Sequence, residues 1–189
     1  MVVLILIPAM MTAVSVAREK ETGSIANFRS TPITGIEFLL GKQLPYVAIG
    51  LASFLSLLLT AIYLFGVPVK GSVATLFSGV FIYIGAATAF GLLISCFTST
   101  QIAAIFTTTI LTMVVAINFS GLLVPFSSLS GTARWIGLGF PSGWFTQISL
   151  GTFTKGLGFA DLWPDLLVLV LFALGFVAAA TMILRKQEA

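Results

Sequence analysis

The chain has 189 residues, 58% of them hydrophobic and 8% charged, with a mean hydropathy of +1.13. Soluble domains carry about a quarter charged residues, so most of this surface must face lipid, and a water-soluble enzyme is excluded. The net charge of +3 comes from nine Lys and Arg against six Asp and Glu, set mostly between apolar runs. That placement suits anionic lipid head groups and argues against nucleic acid as a partner. Histidine is absent, which removes the commonest metal ligand and general base, and the single cysteine, Cys96, has no partner for a disulfide. No catalytic residue and no metal site is expected.

The first apolar run, 2–17, contains Pro8 and is short for a bilayer core about 30 Å thick. It reads as a tilted span or as the tail of a helix that begins upstream. A signal peptide competes, because Ser15-Val16-Ala17 resembles a small-residue cleavage site, but no basic residue precedes the run. The stretch 18–42 follows and is the most polar in the chain, with Arg18, Lys20, Arg29 and Lys42 against Glu19, Glu21 and Glu37. It is the cytoplasmic loop candidate.

A second span is expected over 44–66, ending in a turn at Pro68, Lys70 and Gly71. The run 71–133 carries no charge and is too long for one helix rising 1.5 Å per residue. The polar cluster Thr98-Ser99-Thr100-Gln101 divides it into spans over 72–97 and 102–124. The region 125–164 is broken repeatedly by Gly and Pro, yet it keeps Trp135, Phe140, Trp144 and Phe153. It reads as an extracytoplasmic hairpin of short helices, re-entrant or lying on the interface. The last span, 163–184, stops at Arg185-Lys186. The expected fold is therefore an all-α membrane protein of about five transmembrane helices with a broken hairpin before the last.

Basic residues fix the orientation. One side of the five spans receives Arg18, Lys20, Arg29, Lys42, Arg185 and Lys186, and the other receives only Lys70, Arg134 and Lys155. The richer side, with the C-terminus, is expected in the cytoplasm. The N-terminus then lies outside within an apolar segment, so an upstream portion with at least one more span is expected.

The apolar cores hold no Asp, Glu, Lys, Arg or His. Ion-coupled transporters normally carry such groups within the membrane, which weighs against that class. The segment Gly66-Val67-Pro68-Val69-Lys70-Gly71-Ser72 has a lysine and a serine but not the spacing of a phosphate-binding loop. Any ATP hydrolysis falls to a partner.

The informative segment runs Arg18-Glu19-Lys20-Glu21-Thr22-Gly23-Ser24-Ile25-Ala26-Asn27-Phe28-Arg29-Ser30-Thr31-Pro32-Ile33, then Glu37, then Gly41-Lys42-Gln43-Leu44-Pro45-Tyr46. Ser24 or Thr22 can cap a short helix through Arg29 that carries Ile25 and Phe28 on one face, and Pro32 ends it. Such a helix suits a groove on another protein, or equally a bed of lipid head groups. The segment resembles the loop after the second membrane helix of ABC-2 type permeases, the membrane-spanning subunits of ABC exporters. That resemblance implies a coupling loop over 18–42 that contacts an ATPase subunit through Arg18, Glu19, Lys20, Glu21, Gly23, Ile25, Phe28, Arg29, Pro32, Glu37 and Lys42. It further implies ATP and magnesium on that partner, a second permease copy or paralogue completing a dimer, and a place in the bacterial inner membrane.

Small residues recur four apart at Gly85/Ala89, Ala87/Gly91, Gly91/Ser95 and Gly175/Ala179, a pattern that lets helices approach closely. Asn118 is the carboxamide deep in an apolar span, near Thr112 and Ser120. Two readings stay open: a polar patch on the translocation path, or an interhelical hydrogen bond worth about 1 kcal/mol. Phe77, Phe81, Phe90, Phe106 and Phe119 line an apolar path or face lipid. The expected function is export of a lipophilic or amphipathic substrate, drug-like efflux being the first form of it. The rival classes are an ion-coupled secondary transporter and a non-transporting membrane assembly protein.

Overall fold

The computed structural model describes residues 1–23, 35–123, 128 and 131–188, without the side chains of 36, 38 and 185–188. Its elements, in order, are α1 (Val2–Glu21), α2 (Gly35–Leu59), α3 (Val73–Phe97), α4 (Gln101–Asn118), the short α5 (Thr132–Leu138) and α6 (Pro141–Leu150), and α7 (Phe159–Glu188). Wider π-turns continue α2 over Thr60–Leu64 and α6 over Gly151–Lys155. Five helices, all but α5 and α6, are long and apolar enough to cross a membrane. The expected all-α class and span number therefore stand.

Chain chemistry sets the helix ends. The predicted break at Thr98–Gln101 is where α3 stops and α4 begins, with the Thr100 hydroxyl accepting from the Ala103 N–H at 3.2 Å. Ser72 caps α3 in the same way, accepting from Thr75 N–H at 3.4 Å. At the start of α7, Asp161 reaches back to the N–H of Gly158 at 3.2 Å, one half of a capping box. The helix thus opens at Phe159, ahead of the expected 163. After the π-turn that follows α6, Gly156 takes φ +67°, a conformation that costs a side chain strain. Its turn brings the segment back to Gly71, whose N–H donates to the Thr152 carbonyl at 2.9 Å.

The first helix is longer than its apolar run. It continues through Arg18-Glu19-Lys20-Glu21 to 20 residues, which at 1.5 Å per residue is enough for a core of about 30 Å. Pro8 sits inside it without ending it, and the Thr12 hydroxyl donates to the Pro8 carbonyl at 2.7 Å.

Helix α3 is the centre of the bundle, with 72% of its apolar window buried against 22% for α4 and for α7. It packs on α1, α2, α6 and α7. Lipid gives no hydrophobic drive for helices to associate, so close packing must hold them. The small residues of α3 provide it. A Cβ placed on Gly91 would lie 2.2 Å from the Ala9 carbonyl oxygen, so the α1 and α3 backbones touch there. Gly79 admits the Ile148 side chain of α6, and Gly50 of α2 faces Ile84 and Pro8. Rings fill the remaining core: Tyr83 stacks on Phe145 with centroids 4.2 Å apart, and Phe90 meets Phe140 edge-on at 5.3 Å. Gly175 meets nothing within 4 Å, so its pairing with Ala179 is not used among the described residues.

The five phenylalanines do not form one lining. Phe90 is buried, Phe77 is half-buried edge-on to Phe54, and Phe81 and Phe106 are exposed on different helices.

Gly91→Ala is expected to cost about 1–3 kcal/mol, the range for forcing volume into a packed core, whereas Gly175→Ala is neutral or mildly stabilising. Thermal unfolding of the detergent-solubilised protein compares the two.

Candidate functional site: the charged end of the bundle

Three charged side chains at the end of α1 each fasten a different helix. Glu19 forms an ion pair with Lys42 near the start of α2, with side chains 20% and 30% exposed. Lys20 donates to the carbonyls of Ser95 at 2.7 Å and Cys96 at 3.3 Å, the unsatisfied C-terminal end of α3. Glu21 accepts from the Gln101 backbone N–H at 3.2 Å and from its side-chain amide at 2.9 Å, the N-terminal end of α4. A cation at a helix C-terminus and an anion at an N-terminus both complement the helix dipole. The three contacts bind α1 to α2 and to both sides of the α3–α4 turn.

Thr22 closes α1. Its hydroxyl donates back to the Arg18 carbonyl at 3.0 Å, and its backbone N–H does the same at 3.0 Å. The short helix that Thr22 or Ser24 was expected to cap lies outside the described residues. Gly23 follows at φ +71° with its N–H on the Lys20 carbonyl, the left-handed residue that commonly terminates a helix. Its place in the motif has a backbone reason. Of the other coupling-loop residues, Glu37 is exposed on the first turn of α2. Ile25, Phe28, Arg29 and Pro32, together with the alternative cap Ser24, lie outside the described residues.

Between α1, α2 and α4 lies a groove of about 720 Å³. Met10, Met11, Val14 and Ile105 are its apolar lining, and Ser15, Arg18, Glu19, Lys42, Tyr46 and Gln101 its polar and charged lining. Arg18 is exposed there.

Gln43, which sequence reasoning did not single out, is a further fastening. It is 9% exposed, and its amide donates to the Gly85 carbonyl at 2.9 Å and to the Thr88 hydroxyl at 2.8 Å. An amide entering an apolar run one residue past Lys42 was the only signal available.

The three residues placed on a translocation path are not brought together. Thr112 lies on the buried stripe of α4 that also carries Ala104, Thr108 and Ala116, and Ser120 is buried just past the end of that helix. Asn118 is exposed and donates to Val114 of its own helix at 2.9 Å, so its bond is not the interhelical one considered above. The Thr112 hydroxyl has no hydrogen-bond partner among the described residues, and Ser120 donates to the Ala116 carbonyl. Among the described residues no three His, Cys, Asp or Glu side chains gather as metal ligands would.

Two tests address the fastening. Glu19→Lys and Lys42→Glu should each lower the unfolding temperature and together restore most of it, the coupling being roughly 0.2–1 kcal/mol for a partly exposed pair. Glu21→Ala should speed amide hydrogen exchange at Gln101 and the rest of the first turn of α4, while α7 keeps its protection.

The family model described as ABC-2 family transporter protein matches residues 1–182. The chain is 30% identical over 155 residues to the probable multidrug ABC transporter permease YbhS of Escherichia coli (strain K12), covering 82% of this chain and 41% of that protein. It is also 30% identical over 179 residues to the probable multidrug ABC transporter permease YbhR of the same organism, covering 93% and 48%. The inner membrane transport permease YhhJ is 26% identical over 177 residues, covering 93% and 47%. The chain thus spans under half the length of these curated relatives. No solved structure matches it significantly. Five apolar helices and a family match along nearly the whole sequence lead to one conclusion: the chain is a multi-pass membrane protein that belongs to the ABC-2 family of transporter permeases.

Proposed function

We propose that this chain is the membrane-spanning part of an ATP-driven ABC-2 exporter in the bacterial inner membrane, paired with a second permease copy or a paralogue. ATP and magnesium are bound by a separate ATPase subunit that docks on the segment 18–42 from the cytoplasm. The substrate is lipophilic or amphipathic. The names of the Escherichia coli relatives, two multidrug permeases and one inner membrane permease, support this reading. The distribution of basic residues supports a cytoplasmic C-terminus.

The observation that carries the proposal is the triple fastening at the end of α1. The segment 18–42 begins on α1 and ends on α2, and its first charged residues hold the α3–α4 turn as well. A push from an ATPase on this segment therefore reaches four helices without passing through the lipid-facing surface. With no ionisable group in the middle of the apolar runs, the energy enters at this end. On this reading the short helices α5 and α6 lie toward the opposite, extracytoplasmic end.

The test is ATP-dependent transport into inverted membrane vesicles that contain the permease and its ATPase. Glu19→Lys, Glu21→Lys and Phe28→Asp are each expected to reduce transport about tenfold or more, an energy of about 1.4 kcal/mol or greater, while ATP hydrolysis and membrane insertion persist. Full transport in all three variants would sink the coupling assignment. Transport that survives loss of the ATPase would instead favour an ion-coupled carrier, and absence of any transport would favour an assembly protein.

A further inference from the structure

We infer that the groove between α1, α2 and α4 is a binding site for a compact amphipathic anion, with Arg18 as the counter-charge. Two adjacent rows of α1 face the groove: Met10, Val14 and Arg18, and beside them Met11, Ser15 and Glu19. Residues four apart lie on one face of a helix, so each row runs from an apolar end to a charged one. From Arg18 to Met10 the rise is about 12 Å. The volume of about 720 Å³ falls within the range of roughly 300–1,000 Å³ typical of sites for drug-sized ligands. Methionine at the apolar end adapts to varied apolar shapes.

The sign of the ligand follows from the groups at the charged end. Glu19 is matched by Lys42. Lys20 is spent on the carbonyls that end α3, and Glu21 on Gln101 at the start of α4. That leaves Arg18, whose guanidinium is exposed at the charged end and has no ion pair or hydrogen bond among the described residues. Its planar fork of donors matches a carboxylate, sulfonate or phosphate. An apolar body fits behind it against Met10, Met11 and Val14. Binding of such an anion does not depend on the exporter reading; that the anion is cargo does.

Binding is tested with pyrenebutyrate and its trimethylammonium counterpart, an anion and a cation on the same apolar body. Fluorescence titration uses the protein in phosphatidylcholine nanodiscs, with empty discs subtracted. The expected result is saturable binding of the anion at least tenfold tighter than the cation. Arg18→Lys keeps most of that preference, Arg18→Gln abolishes it and Arg18→Glu reverses it. Val14→Trp, which fills the groove without changing charge, weakens anion binding about tenfold or more and supports the location independently of Arg18. Equal binding of the two probes, an anion preference that survives Arg18→Glu, or full anion binding in Val14→Trp overturns the inference. So does displacement of pyrenebutyrate by a few per cent of phosphatidylglycerol in the discs, which assigns the groove to membrane lipid. Anion binding without ATP-driven transport removes the exporter reading alone, and ATP-driven transport of other compounds without anion binding removes this site alone.

Discussion

The bundle depends on the contact between the backbones of α1 and α3 at Ala9 and Gly91. Two helices meet this closely only where one side presents no Cβ, and a Cβ on Gly91 would fall 2.2 Å from the Ala9 oxygen. In a membrane the gain comes from dispersion and backbone proximity, because lipid tails solvate apolar side chains as well as other helices do. The same constraint explains why α3 is rich in glycine and alanine and why bulky exposed residues collect on α2, α4 and α7. Its position in the middle allows α1 on one side and α6 with α7 on another to share a single core.

That core leaves the ends of the helices to be satisfied by other means. Four N–H groups at the start of each helix and four carbonyls at its finish lack partners within the helix, and near a membrane their cost rises as water thins out. The turn between α3 and α4 holds both kinds side by side. Lys20 and Glu21, consecutive in sequence and opposite in charge, answer them in order, the ammonium on the carbonyl end and the carboxylate on the N–H end. Reversing the two charges would oppose both dipoles at once.

This geometry explains what the sequence made legible and what it hid. The spans were readable because each must bury a long charge-free run, and the α3–α4 turn was readable because four consecutive polar residues, Thr98-Ser99-Thr100-Gln101, break that run near its middle. Arg18 to Glu21 read as loop because four successive charged residues are local evidence for water. They are helical because Lys20 and Glu21 find partners 75 and 80 residues away, a separation that no local pattern reports. Gln43 was passed over for the same reason, its acceptor Thr88 being 45 residues distant. Asn118 misled in the other direction: a lone amide in an apolar run suggested a neighbour, yet the carbonyl of Val114 one turn back satisfies it.

The four charges at the end of α1 also show how one short segment can meet several neighbours at once. Consecutive residues on a helix point about 100° apart, so four in a row cover the full circumference. Helices surround α1 on most of it, with α2, α3 and α4 all packed against it. Three of the four directions therefore meet a helix, and there the charge must be paired: Glu19 with Lys42, Lys20 with the end of α3, Glu21 with the start of α4. The fourth direction opens on the groove, and Arg18 occupies it. Were the run one residue shorter, a fastening or the exposed cation would be lost. A movement that turns or lifts this end of α1 would shift the seats of α3 and α4 and the position of Arg18 beside the groove together.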